Sequence, residues 1–133
     1  MGKMKKAVER EAVAPLEWLY RRGYATPEKK YMNPDGTATS RVFKLREKDE
    51  GALSVDVKSM ANPRKSVGDI SRYMLFEIAN QSVLDLGLQT YHDPLTVAEH
   101  GQDNAAHALI VGMELDDDIL PGMLARKSKR VSM

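Results

Sequence analysis

The residues best suited to chemistry are three histidines, His92, His100 and His107, which fall within 16 residues of one another. Three carboxylates lie in the same stretch of the chain: Asp93, Glu99 and Asp103. Imidazole and carboxylate groups bind divalent transition metals in proteins without thiols, and they exchange protons near neutral pH. We therefore predict either a divalent-metal site made of His92, His100 and Asp103, or an acid–base site that uses His107 or His92.

The spacing of these histidines favours a structural interpretation. It matches neither the HExxH pattern nor a zinc-finger pattern. In the structural interpretation, His92 and His100 lie exposed in a polar loop. His107 then begins a strand, where hydrogen bonds hold its ring in place. The direction in which the three rings point separates the two interpretations.

A second group of polar residues falls on two predicted strands: Ser40, Arg41, Lys44, Arg46 and Ser54. Arginine and serine both donate hydrogen bonds to phosphate oxygens. Arg41 and Ser54 are therefore candidate catalytic or binding residues in an anion pocket. The outer face of an ordinary antiparallel sheet would show the same alternation of polar and apolar side chains.

The C-terminal segment carries four cations and no acid: Arg126, Lys127, Lys129 and Arg130. Such a segment contacts nucleic-acid phosphates without sequence specificity, mainly by releasing counterions. The alternative is a solvated basic terminus that keeps the protein soluble. The sequence contains no helix-turn-helix, zinc-finger or aromatic RNA-binding motif that would favour the first interpretation.

The clearest strand signal is the alternation of apolar and polar residues over 53–57, and we predict that this strand forms a hairpin with residues 41–45. Residues 33–36, Asn-Pro-Asp-Gly, predict a tight turn. Further predicted strands cover residues 83–86, 88–91 and 107–113.

Helices are predicted at both ends of the chain and in the middle. The first covers residues 3–22 with a break near Ala14, because Pro15 is not tolerated in a helix interior. The second covers 69–80, with Ser66 or Asp69 as its cap. The last passes through Leu120 and Leu124, and the acids at 116–118 stabilise the positive end of its dipole.

Composition predicts one α+β domain over residues 1–133, with a small, mainly antiparallel sheet packed against two to four helices. Hydrophobic residues make up 42% of the 133 residues, charged residues 29%, and the net charge is +1. The basic ends, about 1–6 and 126–133, are expected to be flexible. The chain lacks cysteine and any apolar run near the ~20 residues of a membrane span, so we expect a cytoplasmic protein without membrane contact.

Two short blocks, about a third of the chain, resemble the corresponding part of a group of small bacterial proteins without an established activity. The first contains Ser40, Phe43, Asp49-Glu50 and Leu53-Ser54-Val55. The second is His107-Ala108-Leu109-Ile110. The resemblance implies a shared fold and a shared site rather than a reaction. It nominates four positions for that site: Ser40, Arg41, Ser54 and His107.

Three functions remain open from the sequence. The first is an accessory or regulatory protein that binds a protein partner or a second copy of itself. The second is an enzyme that acts on a phosphate-bearing or nucleotide substrate through His107, His92, Arg41 and Ser54. The third is nucleic-acid binding through the basic termini.

Overall fold

A computed structural model of the chain describes residues 10–101 and 103–133, and its central feature is one six-stranded antiparallel sheet. The strands are β1 (Trp18–Tyr24), β2 (Ala52–Val57), β3 (Tyr73–Ala79), β4 (Gln89–His92), β5 (His107–Val111) and β6 (Lys129–Arg130). Their order across the sheet is β4-β5-β2-β1-β3-β6. This arrangement confirms the predicted α+β class.

Short helices connect and cover the strands. The α-helices are α1 (Pro63–Val67), α2 (Asn80–Asp85), α3 (Val97–His100) and α4 (Leu120–Lys127). The 3-10 helices are Pro27–Lys29, Ser40–Phe43, Glu47–Asp49 and Lys58–Met60. Among the described residues, no helix is both long and apolar enough to cross a membrane.

The main hydrophobic core lies on one face of the sheet. β2 turns Leu53, Val55 and Val57 toward it, and all three side chains are buried. Phe43 of the 3-10 helix and Leu124 of α4 cover this face and are fully buried as well. Burial of these apolar surfaces is the main force that holds the two covering helices on the sheet.

The predicted helix over 69–80 is wrong, because Tyr73–Ala79 form β3 and a helix begins at Asn80, where one was expected to end. β3 buries side chains on both of its faces: Met74, Phe76 and Ile78 belong to the main core, and Leu75 packs beneath α1 in a second cluster. A strand covered on both faces is a continuous apolar run. Such a run also satisfies helical spacing, so periodicity does not distinguish the two structures.

The predicted helix over 3–22 is wrong in the part that the structure describes. Residues 18–24 form β1, which pairs with β3 through seven residues. The predicted interruption at Pro15 corresponds to a turn, in which the Glu17 amide donates to the Ala14 carbonyl. The first nine residues, including the expected flexible end at 1–6, lie outside the described residues.

The predicted hairpin between 41–45 and 53–57 is also wrong. Ser40–Phe43 is a 3-10 helix, and β2 instead pairs with β1 and β5. Its two buried side chains, Val42 and Phe43, are adjacent in sequence, which a helical turn permits and a half-buried strand does not. The predicted strand at 83–86 lies mainly in α2.

Several predicted elements are confirmed. β2, β4 and β5 lie at or within one or two residues of their predicted positions. The Asn33 turn is closed by two backbone hydrogen bonds, and α4 has Pro121 in its first turn. Asp117 accepts hydrogen bonds from the amides of Ile119 and Leu120, as its position before a helix suggests.

The basic C-terminal segment contacts the rest of the fold as far as Val131. Arg126 and Lys127 form the last turn of α4. Lys129 and Arg130 pair with β3, and the Val131 amide donates to the Leu75 carbonyl at 2.9 Å.

Candidate functional site

A wide polar groove of about 920 Å³ opens on the sheet face opposite the main core. β1 pairs with β2 only through Leu19 and Tyr20. After Tyr20 the two strands separate, and the floor of the groove lies between them. Ser54 and Asp56 lie on the floor because they alternate with the core residues of β2. Residues of α1 and of the loop before β5 form its walls.

Cations dominate the charged side chains that line the polar groove. Five of them line it: Arg21, Arg22, Arg46, Lys48 and Lys65. The acids that line it are Asp56 and Asp103. Among the described residues, no carboxylate lies within salt-bridge distance of Arg22, Lys48 or Lys65. These three cations are therefore available to an anionic ligand.

Arg21 differs from the other cations because it holds the backbone where the strands separate. Its Nε donates to the Val42 carbonyl at 2.8 Å, and its Nη1 donates to the Ser54 carbonyl at 2.8 Å. Burial lowers the pKa of Arg21 to about 10, and the carboxylate of Asp49 partly opposes this change. The guanidinium remains charged at neutral pH and fixes the shape of the groove floor.

Three tyrosines form an aromatic wall at one end of the polar groove. The Tyr24 ring lies 5.3 Å from that of Tyr31 in an edge-to-face contact and 5.2 Å from that of Tyr73. The Arg22 guanidinium lies 4.3 Å above the Tyr73 ring, where the electron-rich face of the ring attracts it. We call the part of the groove lined by the three tyrosines, Arg22, Arg46 and Lys48 the cationic end.

The other end of the groove is built on one cross-strand row of the sheet. Tyr20 of β1 is opposite Asp56 of β2, which is opposite His107 of β5. Asp56 accepts a hydrogen bond from Ser66 Oγ at 2.5 Å and another from Asn104 Nδ2 at 2.9 Å. These contacts tie α1 and the loop before β5 to the floor. We call this part the histidine end.

His107 is held by a carboxylate that is itself held by an arginine. Its Nδ1 lies 3.0 Å from the Asp93 carbonyl oxygen and 3.1 Å from Asp93 Oδ2. Arg10 Nη2 lies 2.9 Å from the other carboxylate oxygen, Oδ1. The His107 side chain is 12% exposed and lines the groove.

The structure brings together only part of the predicted catalytic set. Ser54 and His107 both line the polar groove, whereas His92 and Arg41 do not. His92 pairs with Ala108 in β4, and its amide donates to the Glu11 carbonyl. Arg41 is exposed on its 3-10 helix, beside a separate pocket of about 340 Å³ near Asp118.

The predicted metal site is not assembled. Among the described residues, no group of three or more His, Cys, Asp or Glu side chains is placed to hold a metal ion. His100 accepts a hydrogen bond from the Thr96 amide through its Nδ1 at 3.3 Å. Asp103 accepts one from the Val97 amide at 2.9 Å. Both side chains thus organise the loop around α3.

Most of the groove residues carry no sequence motif. Tyr20, Arg22 and Tyr24 alternate along β1, but the helix predicted over this segment does not place them on one face of a strand. Lys48 and Lys65 lie in short helices that carry no motif. The contact between Arg10 and Asp93 joins residues 83 positions apart in the chain, so no local sequence pattern predicts it.

No protein-family model, curated protein or solved structure matches this chain.

Proposed function

We propose that the polar groove binds a small phosphate-bearing compound of about nucleotide size. Arg22 and Lys48, which line its cationic end without a carboxylate partner among the described residues, carry this proposal. Phosphate oxygens accept charge-assisted hydrogen bonds from both side chains, and an arginine fork engages two oxygens at once. An anion would also relieve the repulsion between neighbouring cations at this end of the groove.

The tyrosine wall supports a ligand that also carries a flat group. Tyr24, Tyr31 and Tyr73 are half-buried and line the groove beside the cations. Aromatic side chains stack on nucleobases whatever the base, because every base has a π-face. A volume of about 920 Å³ lies within the range of small-molecule sites, roughly 300–1,000 Å³.

Calorimetric titration with three related compounds tests this proposal. Adenosine monophosphate contains the phosphate, the sugar and the base, ribose 5-phosphate lacks the base, and adenosine lacks the phosphate. We expect adenosine monophosphate to bind most tightly and adenosine to show no measurable binding. Equal binding of adenosine and adenosine monophosphate would contradict the role given to the cations.

Charge reversal identifies the site. Lys48→Glu is expected to lower the affinity for adenosine monophosphate at least about ten-fold, since it removes a charge-assisted contact and adds a repulsive charge. The matched control is Lys127→Glu, a reversal at another exposed lysine, on α4 outside the groove. Equal losses in the two variants would mean that the ligand senses only net charge.

Nucleic-acid binding is a second candidate, and a different surface favours it. Trp18 is 37% exposed, with Lys58 Nζ at 6.0 Å and Lys129 Nζ at 5.7 Å from its ring. An aromatic ring flanked by lysines suits a stacked base and its phosphates. Lys129→Glu is expected to weaken the salt-sensitive retention of the protein on heparin and to leave adenosine monophosphate binding unchanged. Unchanged retention would remove this candidate.

Binding to a protein partner or to a second copy stays a prediction, as does the cytoplasmic location. The large apolar side chains that are exposed come from several segments: Leu16, Trp18, Met60, Ile70, Val97, Leu115, Ile119 and Met133. Sedimentation at two protein concentrations tests self-association. A constant monomer mass would count against it.

A further inference from the structure

We propose that His107 presents an unprotonated Nε2 to the groove and accepts a hydrogen bond from a hydroxyl group of the bound phosphate compound. This inference rests on the proposed function and narrows its ligand class to phosphate esters that also carry a hydroxyl group, such as nucleotides and sugar phosphates.

The contacts of His107 decide which ring nitrogen carries the proton. Both partners of Nδ1, the carbonyl oxygen and the carboxylate of Asp93, accept hydrogen bonds and donate none. Nδ1 must therefore carry the hydrogen. In the neutral imidazole, the second nitrogen then has a free lone pair, so Nε2 is an acceptor.

Arg10 keeps this arrangement in place. Arg10 Nη2 lies 2.9 Å from Asp93 Oδ1, so the other oxygen, Oδ2, is the one that accepts from His107. Asp93 and Arg10 are thus positioning residues: they fix the tautomer and the angle of the ring.

The sheet sets the distance between the two ends of the groove. Tyr20 lies in the cross-strand row of Asp56 and His107, and Arg22 is two residues further along β1. Two residues of a strand span about 7 Å, and the two strand spacings from β1 to β5 span about 10 Å, so the backbones of Arg22 and His107 are roughly 12 Å apart across the sheet. A phosphate at Arg22 therefore leaves the far end of a nucleotide-sized molecule within reach of His107.

The histidine end carries carboxylates that can accept hydrogen bonds from a ligand. Asp56 lies beside His107 in the neighbouring strand, and Asp103 also lines the groove. Each Asp56 oxygen already accepts one hydrogen bond and retains a second lone pair. A hydroxyl group, which donates a hydrogen bond and bears no charge, is better suited to this place than a second phosphate.

The tautomer is tested first, on the unliganded protein. Nitrogen-15 NMR of the imidazole rings above the range in which histidine titrates distinguishes the two neutral forms. We expect His107 to be protonated on Nδ1. Asp93→Ala, which leaves only the carbonyl oxygen as a partner, should shift the ring toward a mixture of both forms. Protonation of wild-type His107 on Nε2 would overturn the proposal whether or not any ligand binds.

The ligand contact is tested by acylation with diethyl pyrocarbonate, which attacks an unprotonated imidazole nitrogen. The rates at all three histidines are followed by mass spectrometry. We expect saturating adenosine monophosphate to slow the reaction of His107 several-fold. His92 and His100, which do not line the groove, serve as internal controls and should react at unchanged rates.

Two comparisons separate the failure of this inference from the failure of the proposed function. Inorganic phosphate, which lacks a sugar or other organic part with an alcohol hydroxyl group, should bind weakly and leave His107 reactive. Equal protection by phosphate would show a direct phosphate contact and overturn the contact with an alcohol hydroxyl. If calorimetry shows that adenosine monophosphate binds through Lys48 but His107 is not protected, the inference fails and the proposed function stands. If adenosine monophosphate does not bind, both fail.

Affinity gives an independent measure of the same contact. His107→Ala is expected to weaken adenosine monophosphate binding about five-fold, the worth of one net hydrogen bond. His107→Gln places an amide oxygen near the position of Nε2 and should recover part of the loss. An alanine variant with wild-type affinity would contradict the contact.

Discussion

The two faces of the sheet are made by the same strands and yet have opposite character. On β2, the side chains of Leu53, Val55 and Val57 are buried in the main core. Ser54 and Asp56, which alternate with them, form the floor of the open polar groove. The core face is covered by α4 and the 3-10 helix that contains Phe43. The groove face is covered only in part, by α1. Because side chains alternate along a strand, the same strand contributes to the core on one face and lines the open groove on the other.

This comparison predicts that neighbouring substitutions have very different effects. Leu53→Ala should lower the free energy of unfolding by about 2–5 kcal/mol, because it leaves a cavity in a core where the side chain is fully buried. Ser54→Ala, one residue away on the exposed face, should change it by less than about 0.5 kcal/mol. Urea denaturation of both variants measures the difference. Similar costs would mean that the groove face is also a packed surface.

A buried polar cluster beside the main core should give the next largest effect. Asn80 Nδ2 donates to the carbonyl oxygens of Val13 and Ala14, and its Oδ1 accepts from Thr90 Oγ1. Asn80→Ala leaves these groups without partners, and we expect a loss of about 1–3 kcal/mol in the free energy of unfolding.

The adjacent residue provides the control for this cluster. Gln81 is exposed, and its side chain donates a hydrogen bond to Asp85 within α2, so Gln81→Ala should cost far less than Asn80→Ala. Binding of adenosine monophosphate should be unchanged in both variants, since neither residue lines the groove. A loss of binding in Asn80→Ala at a temperature where it stays folded would show that the two faces are coupled.

The smallest effect is expected at the turn that connects α1 to β3. Asp69 accepts hydrogen bonds from Ser71 Oγ and from the Ser71 amide, which lower its pKa from the usual 3.8. A carboxyl whose pKa is lower in the folded state stabilises the fold above pH 3.8, and this contribution disappears as the pH falls through the lowered value.

Asp69→Asn should therefore reduce the melting temperature slightly at pH 7, by less than Asn80→Ala does, and the difference from wild type should vanish at strongly acidic pH. Melting curves recorded between pH 2 and pH 7 measure this effect. A difference in melting temperature between the variant and wild type that grows toward acidic pH would contradict this role of Asp69.

The sequence was informative wherever a strand has one buried face. The alternation over Leu53–Val57 located β2 and correctly divided its core residues from its groove residues. It was misleading at β3, because Met74, Leu75 and Phe76 are all buried and their spacing does not distinguish a strand from a helix. Because a helix was predicted where β1 lies, Arg22 and Tyr24 were not predicted as neighbours on one face of a strand.

The candidate site was only partly predictable because its parts are distant in the chain. Ser54 and His107 were singled out by residue type, and antiparallel pairing of β2 with β5 brings their strands side by side. The predicted metal ligands His92 and His100 lie within nine residues of one another, yet they make unrelated contacts: the His92 amide donates to the Glu11 carbonyl, and the His100 ring accepts from the Thr96 amide. Proximity in the sequence therefore does not identify the site. The site depends on which residues pair across the strands, and the sequence does not show that register.

The central claim is that the groove face binds phosphate esters while the core face only stabilises the fold. Titration of the nitrogen-15-labelled protein with adenosine monophosphate, followed by amide NMR shifts, tests it most directly. We predict saturable shifts at the groove residues Arg22, Lys48, Ser54 and His107, and none beyond noise at Leu124 and Ala125 of α4. Shifts confined to Lys129 and Arg130, or no saturable shift at the groove, would contradict the claim.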